Sequence, residues 1–186
     1  MKKAVVLLAE GFEEIEALTC VDVLRRANIH CITCSINSKK DVTGAHGISV
    51  NADSLLEAVN VDEYHAVILP GGMPGTINLR DDEKVIEFIK KLHTENKIVA
   101  AICAAPIVLK KAGIIEGKKV TSYPGFEEEL ASDNYSEESV VQEGNLITSR
   151  GPATAIYFVF KILENLVDKN IVENLKKDML LDLVKS

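Results

Sequence analysis

Five consecutive apolar residues, Ile98 to Ile102, run into a turn of small residues and then into a proline. No other stretch restricts the fold so much. A short run without polar alternation marks a strand covered on both faces, as in a parallel sheet between helical layers. Cys103, Ala104 and Ala105 form the turn, and Pro106 stands where a first helical turn begins. Ile107, Val108 and Leu109 carry the helix on, and Gly113 supplies a left-handed stop. Cys103 thus falls at a nucleophile elbow, with a thiol for the serine and alanines for the glycines. The small neighbours leave room for a reacting group, and the positive end of a helix favours a thiolate. The same residues also fit a buried structural cysteine, because free cysteine is among the most buried residue types.

The rest of the chain alternates in the same way. Residues 3–9 form an apolar strand, Gly11 turns the chain, and residues 13–27 make an amphipathic helix. Its sheet-facing side is expected to carry Ile15, Leu18, Val21 and Leu24, with Ala17 and Leu24 as the other choice. Glu13, Glu14 and Glu16 in its first turn and Arg25 and Arg26 in its last complement the helix dipole, and Asn28 closes it. A second strand covers 30–36. Residues 42–50, with Gly44 and Gly47, read as a short hairpin or pair of edge strands. Ser54 is expected to cap a brief helix through Val59. A buried strand over 65–69 ends in Pro70-Gly71-Gly72-Met73-Pro74-Gly75, and Asp81 or Asp82 caps a helix to about Thr94. Beyond the Cys103 unit come a strand near 119–122, a helical turn at 127–130, and strands at 139–142 and 146–149 joined by Glu143-Gly144-Asn145. Helices over 153–166 and 171–184 complete the chain.

This pattern predicts one α/β domain, residues 1–186, with a mainly parallel sheet. The functional crevice of such a sheet lies beyond the carboxyl ends of its strands. Residues 10–16, 70–75, 103–106 and 149–152 all fall at such ends. Their convergence favours a functional Cys103.

A net charge of −7, from 28 acidic and 21 basic residues, argues against a nucleic-acid surface. The opening M-K-K-A-V-V-L-L-A starts like a signal peptide, but its apolar run stops at Glu10 without a cleavage site, so it reads as the first strand. No apolar run approaches membrane-spanning length. A cytoplasmic protein is expected. Cys31 and Cys34 have redox-motif spacing but sit three apart in a strand, on opposite faces. With Cys20 they read as structural thiols in a reducing compartment.

Gly71 and Gly72, together with the N–H of Ala104, are positioned to form an oxyanion hole for an adduct on Cys103; a plain Pro-Gly-Gly turn is the other reading. Glu16 has two fates. Ionised beside a thiol it suppresses the nucleophile; protonated by burial, it donates to the thiolate and shuttles the proton. Residue type alone favours a solvated acid at the helix start, as for Glu13 and Glu14. A cysteine hydrolase also wants a histidine base. His30 and His65 start strands and His93 lies late in a helix, which leaves only His46, in the hairpin, near a crevice. No His, Cys and carboxylate group has metal-ligand spacing along the sequence, so neither metal nor cofactor is expected.

A-E-G-F-E-E-I-E-A (9–17), V-D-V-L-R-R-A (21–27), V-I-L-P-G-G (67–72), A-A-I-C-A-A-P (100–106) and T-S-R-G-P-A-T (148–154) together resemble the DJ-1/ThiJ/PfpI superfamily. The resemblance covers nearly the whole chain. It implies a flavodoxin-like three-layer sandwich, usually a homodimer, with the elbow cysteine as a reactive, low-pKa centre. By position Cys103 matches the family's oxidisable nucleophile and Glu16 its protonated carboxyl partner. Gly71, Gly72 and Ala104 match backbone donors around the sulfur, and Ser149 and Arg150 match pocket residues. Ile15 and Arg25 fall where the family builds part of its dimer contact. The family's histidine before a proline is here Tyr123, before Pro124. A free phenol ionises only near pH ~10, which weakens peptidase and histidine-assisted glyoxalase readings. The implied activity is glyoxalase or deglycase chemistry on methylglyoxal or glycated adducts. The alternatives are a redox sensor or chaperone acting through Cys103 oxidation and, more remotely, thiazole monophosphate biosynthesis or a cysteine peptidase.

Overall fold

The computed structural model describes residues 1–183. Lys3–Leu8 (β1), Glu14–Arg26 (α1) and His30–Ser35 (β2) form the first β-α-β unit. Asp41–Thr43 (β3), Ser49–Asn51 (β4), Ser54–Leu55 (β5), Ala66–Leu69 (β6), Gly75–Asp81 (α2) and Glu83–Thr94 (α3) follow. Ile98–Ile102 (β7), Pro106–Lys111 (α4), Glu127–Leu130 (α5), Val140–Glu143 (β8), Leu146–Ser149 (β9), Ala155–Leu163 (α6) and Lys169–Asp178 (α7) complete the order.

The main sheet has the order β5-β2-β1-β6-β7-β9-β8. Its pairs are parallel except β8 with β9, the hairpin expected around Gly144. β3 and β4 pair separately as an antiparallel hairpin. The apolar runs are explained by two covered faces. Ala4, Val6, Leu8, Ile68, Ala100 and Ile102 pack with α1, α6 and α7 on one side. Val5, Leu7, Val67, Leu69, Val99 and Ala101 pack with α3 and α4 on the other. This is the expected α/β three-layer sandwich, with a flavodoxin-like parallel centre. Cys31 and Cys34 lie in opposite layers, as their spacing requires.

Both left-handed helix stops are present: Asn28 at φ 57° and Gly113 at φ 70°. Asp82 caps α3 by accepting from Lys84 and Val85 N–H.

Four expectations are corrected. α1 turns Ala17, Cys20, Val21, Val23 and Leu24 inward, while Ile15 and Leu18 face out. The inward stripe begins with Glu16, so the helical period is right but the face is rotated. Residues 54–59 are not a capped helix: Ser54–Leu55 pairs with Cys34 and Ser35 at the sheet edge, followed by one 3-10 turn at Leu56–Ala58. So short a segment repays helix nucleation poorly. Near 119–122 there is only a single bridge from Val120 to Tyr135, because Thr121 N–H donates to the Thr148 hydroxyl and leaves the ladder. α2 is an additional helix over residues that no expected element covers, since Pro74 and Gly75 mask its start. The last helix starts at Lys169 and ends at Asp178, and Val184, its expected end, lies outside the described residues.

Candidate active site

β1, β6, β7 and β9 are neighbours in the sheet, so the segments following them meet along one rim. Cys103 is the first residue beyond β7 and adopts φ 64°. A non-glycine residue in the left-handed region costs about 1 kcal/mol or more, so it persists only where its surroundings fix it. They do. Cys103 N–H donates to Ser149 O at 2.9 Å, extending the β7–β9 ladder, and its carbonyl accepts from Tyr123 N–H at 2.8 Å. The elbow expected from the sequence is therefore a strained turn clamped from both sides. α4 has only six residues, too few for its dipole to dominate at the sulfur; the groups that favour the thiolate are the individual N–H groups of Ala104 and Gly72.

Glu16 reaches the same point from α1. It is fully buried, and its Oε2 accepts from Gly71 N–H at 2.7 Å. Its Oε1 is buried without a well-directed hydrogen bond, and the Cys103 thiol lies beside the carboxyl. Gly71 brings the parts together by having no side chain. A Cβ there would sit 2.6 Å from the Cys103 Cβ, 2.9 Å from Glu16 Oε2 and 3.1 Å from the sulfur. Gly71 thus donates to Glu16, while Gly72 and Ala104 direct N–H groups at the sulfur.

Burial raises the Glu16 carboxyl to about 7; Gly71 N–H and the Cys103 thiol oppose the rise, and the charge of Glu13 adds to it. Burial also pushes the Cys103 thiol up to about 12, helped by the charge and hydrogen bond of Glu16, against the Ala104 and Gly72 N–H groups. The expected depressed thiol pKa is thus corrected: a buried sulfur beside a carboxylate resists ionisation. The two groups behave as one unit. The Glu16 carboxyl loses its proton before the thiol does, and a thiolate then forms only when the thiol proton passes to Glu16.

All three first-turn acids are buried, against the solvated fate favoured by residue type alone. Glu14 is occupied by the β3–β4 hairpin, where it accepts from His46 N–H and from the His46 ring, each at 2.8 Å. Ser149 is fully buried and its hydroxyl bonds Ser139 O and Thr154, so its side chain shapes the elbow. Arg150 follows it with a buried Nη1 that has no hydrogen-bond partner. Tyr123 is half exposed, its ring lying against Gly151. Arg25 is engaged within the chain, donating to Cys31 O and to Asp53. Cys20, Cys31 and Cys34 are buried free thiols, and burial raises all three. Among the described residues, Glu13, Glu14 and His46 form a group with metal-ligand proximity, which their sequence spacing hides.

The DJ-1/PfpI family model matches residues 2–165. Protein dj-1beta of Drosophila melanogaster is 40% identical over 182 residues, covering 96% of this chain and 97% of that protein. A Pyrococcus abyssi protein named as a deglycase is 36% identical over 153 residues, 81% of this chain and 90% of that one. The solved structure of oxidized Toxoplasma gondii DJ-1 superposes with a TM-score of 0.93 at 34% identity, covering 97% of this chain and 98% of that one.

Proposed function

The chain belongs to the DJ-1/PfpI family, and from that premise we propose that Cys103 attacks small aldehydes, giving glyoxalase- or deglycase-type chemistry on methylglyoxal or glycated adducts. The observation that supports this reading is the Cys103 elbow at φ 64° with the buried Glu16 carboxyl beside it. Glu16 takes the thiol proton as sulfur bonds to the aldehyde carbon and returns it to the carbonyl oxygen, which becomes the hydroxyl of a hemithioacetal. Gly72 and Ala104 N–H groups lie around the sulfur, where charge changes during attack. Moving the C1 proton to C2 oxidises one carbon and reduces the other, with no outside oxidant, and leaves a lactoyl thioester. Water cleaves it to lactate and restores the thiol. On a glycated adduct sulfur displaces the amine, which leaves with the proton that Glu16 took from the thiol, and the same hemithioacetal results.

A second reading has its own support. Cys103 is partly exposed while the other three thiols are buried, so peroxide would act selectively there, and Gly72 and Ala104 would hold the sulfinate. This is the redox-sensor alternative. The homodimer belongs to the same reading: outward-facing Ile15 and Leu18 border an apolar groove with Ile156 and Met179. Leu18→Glu in sedimentation tests that face. Four free cysteines fit a reducing, cytoplasmic setting.

The test is lactate formation from methylglyoxal by purified wild type and Cys103→Ser. Turnover lost in the variant supports the enzyme reading, and no turnover in either sinks it. Peroxide treatment with mapping of all four cysteines then tests the sensor: sulfinate confined to Cys103 supports it, and even oxidation contradicts it.

A further inference from the structure

We propose that Glu13, Glu14 and His46 form a binding site for a divalent transition ion of the zinc class, separate from the chemistry assigned to Cys103. One ligand atom from each lies within 4.8 Å of the other two. His46 Nδ1 is 3.6 Å from Glu13 Oε2 and 2.8 Å from Glu14 Oε2. Zinc bonds of about 2.0–2.1 Å at tetrahedral angles place ligand atoms about 3.4 Å apart. The Glu13 pair already has that spacing, and the Glu14 pair has only to open by roughly half an ångström.

Glu13 supplies the independent observation. The residue is 9% exposed, yet no hydrogen bond reaches its carboxylate among the described residues; it faces His46 at ion-pair distance only. Its side chain keeps only 12% of its surface in water and has no protein donor, and a cation is the group that offsets such a carboxylate. Two carboxylates with one imidazolium leave a negative charge uncompensated, whereas a dication in place of the Nδ1 proton leaves none.

The supporting groups are those of a built site. Glu14 Oε1 accepts from His46 N–H at 2.8 Å and Ile48 N–H at 3.4 Å, which leaves Oε2 turned to the imidazole. Glu13 is anchored by its own N–H to Gly71 O at 2.9 Å. Gly44 lets the hairpin lie over Glu14, since a Cβ there would collide with the carboxylate. The imidazole is 67% exposed, so water has access as the fourth ligand. An ion here joins the first turn of α1 to the β3–β4 hairpin.

Zinc titration of chelator-stripped Cys103→Ser protein tests the site without interference from the reactive thiol. The expected result is one ion per chain, weakened tenfold or more by His46→Ala and abolished by Glu13→Gln combined with His46→Ala. Zinc is also expected to raise the melting temperature of the parent and not of the double variant. Cobalt substitution gives a readout that needs no variant: tetrahedral d–d bands are expected. No zinc uptake at millimolar concentration, affinity unchanged in His46→Ala, or only the spectrum of hydrated cobalt would overturn the proposal.

Discussion

Gly71 donates its backbone N–H to Oε2 of Glu16 at 2.7 Å, joining the end of β6 to a carboxyl carried by α1. That bond fixes the carboxyl and leaves Oε1, buried and otherwise without a well-directed partner, as the oxygen able to hold a proton toward Cys103. The site is thus assembled across two elements by a residue whose only contribution is backbone.

Gly71→Ala follows from this. Its Cβ would meet the Cys103 Cβ at 2.6 Å and Glu16 Oε2 at 2.9 Å, and neither neighbour is free to retreat. The expected loss is about 1–3 kcal/mol of stability together with most Cys103 reactivity, read by urea unfolding and alkylation. Unchanged alkylation with intact folding would contradict the packing described.

The backbone strain at Cys103 is separable from its sulfur. At φ 64° glycine is at ease and alanine is not. Cys103→Gly is expected to be more stable than Cys103→Ala by about 0.5–1 kcal/mol, although glycine normally weakens a fold. Chemical denaturation of the pair measures it, and the reverse order would mean that the turn relaxes.

Glu16 makes stability depend on pH. Its folded-state pKa is raised from 4.5 to about 7, so the folded protein holds this proton more tightly than the unfolded chain does. Its contribution is therefore fully present below pH 4.5 and lost as pH rises through about 7, on the order of 3 kcal/mol in all. Unfolding in chelator-treated buffer at pH 4.5 and pH 8 should show that loss in wild type and not in Glu16→Gln. Equal pH slopes would contradict it.

Much of this was legible in the chain. Period-two burial on both faces follows from the apolar runs, and Cys103 sits at its elbow because a strand runs into small residues and a proline. What could not be read is what tertiary contact decides. Glu16, Glu14 and Glu13 look like dipole-complementing acids, and only the packing of β6 and the β3–β4 hairpin shows that they are buried. The rotated face of α1 has the same origin, because its inward stripe includes a carboxyl that pattern reading assigns to water. The strand expected near Val120 failed because a side-chain hydroxyl, Thr148, took the N–H that would have paired. The thiol pKa went the other way because burial outweighs two N–H donors.

In the proposed aldehyde chemistry, Tyr123 stands where the resembled family carries a histidine. Its N–H is 2.8 Å from the Cys103 carbonyl, and its half-exposed side chain starts beside the elbow. Tyr123→His is expected to raise lactate formation tenfold or more near neutral pH, since a positioned histidine base contributes about 10²-fold or better. No gain in a folded variant would mean that Glu16 alone suffices for proton transfer.

The pH dependence of Cys103 alkylation by iodoacetamide tests the shared proton most directly. In chelator-treated wild type the rate should rise with a midpoint near 7, when the pair loses its first proton. In Glu16→Gln that midpoint should disappear, because the variant has no carboxyl proton to lose. An identical midpoint in both proteins would show that Cys103 ionises without Glu16, and the account of the site would be wrong.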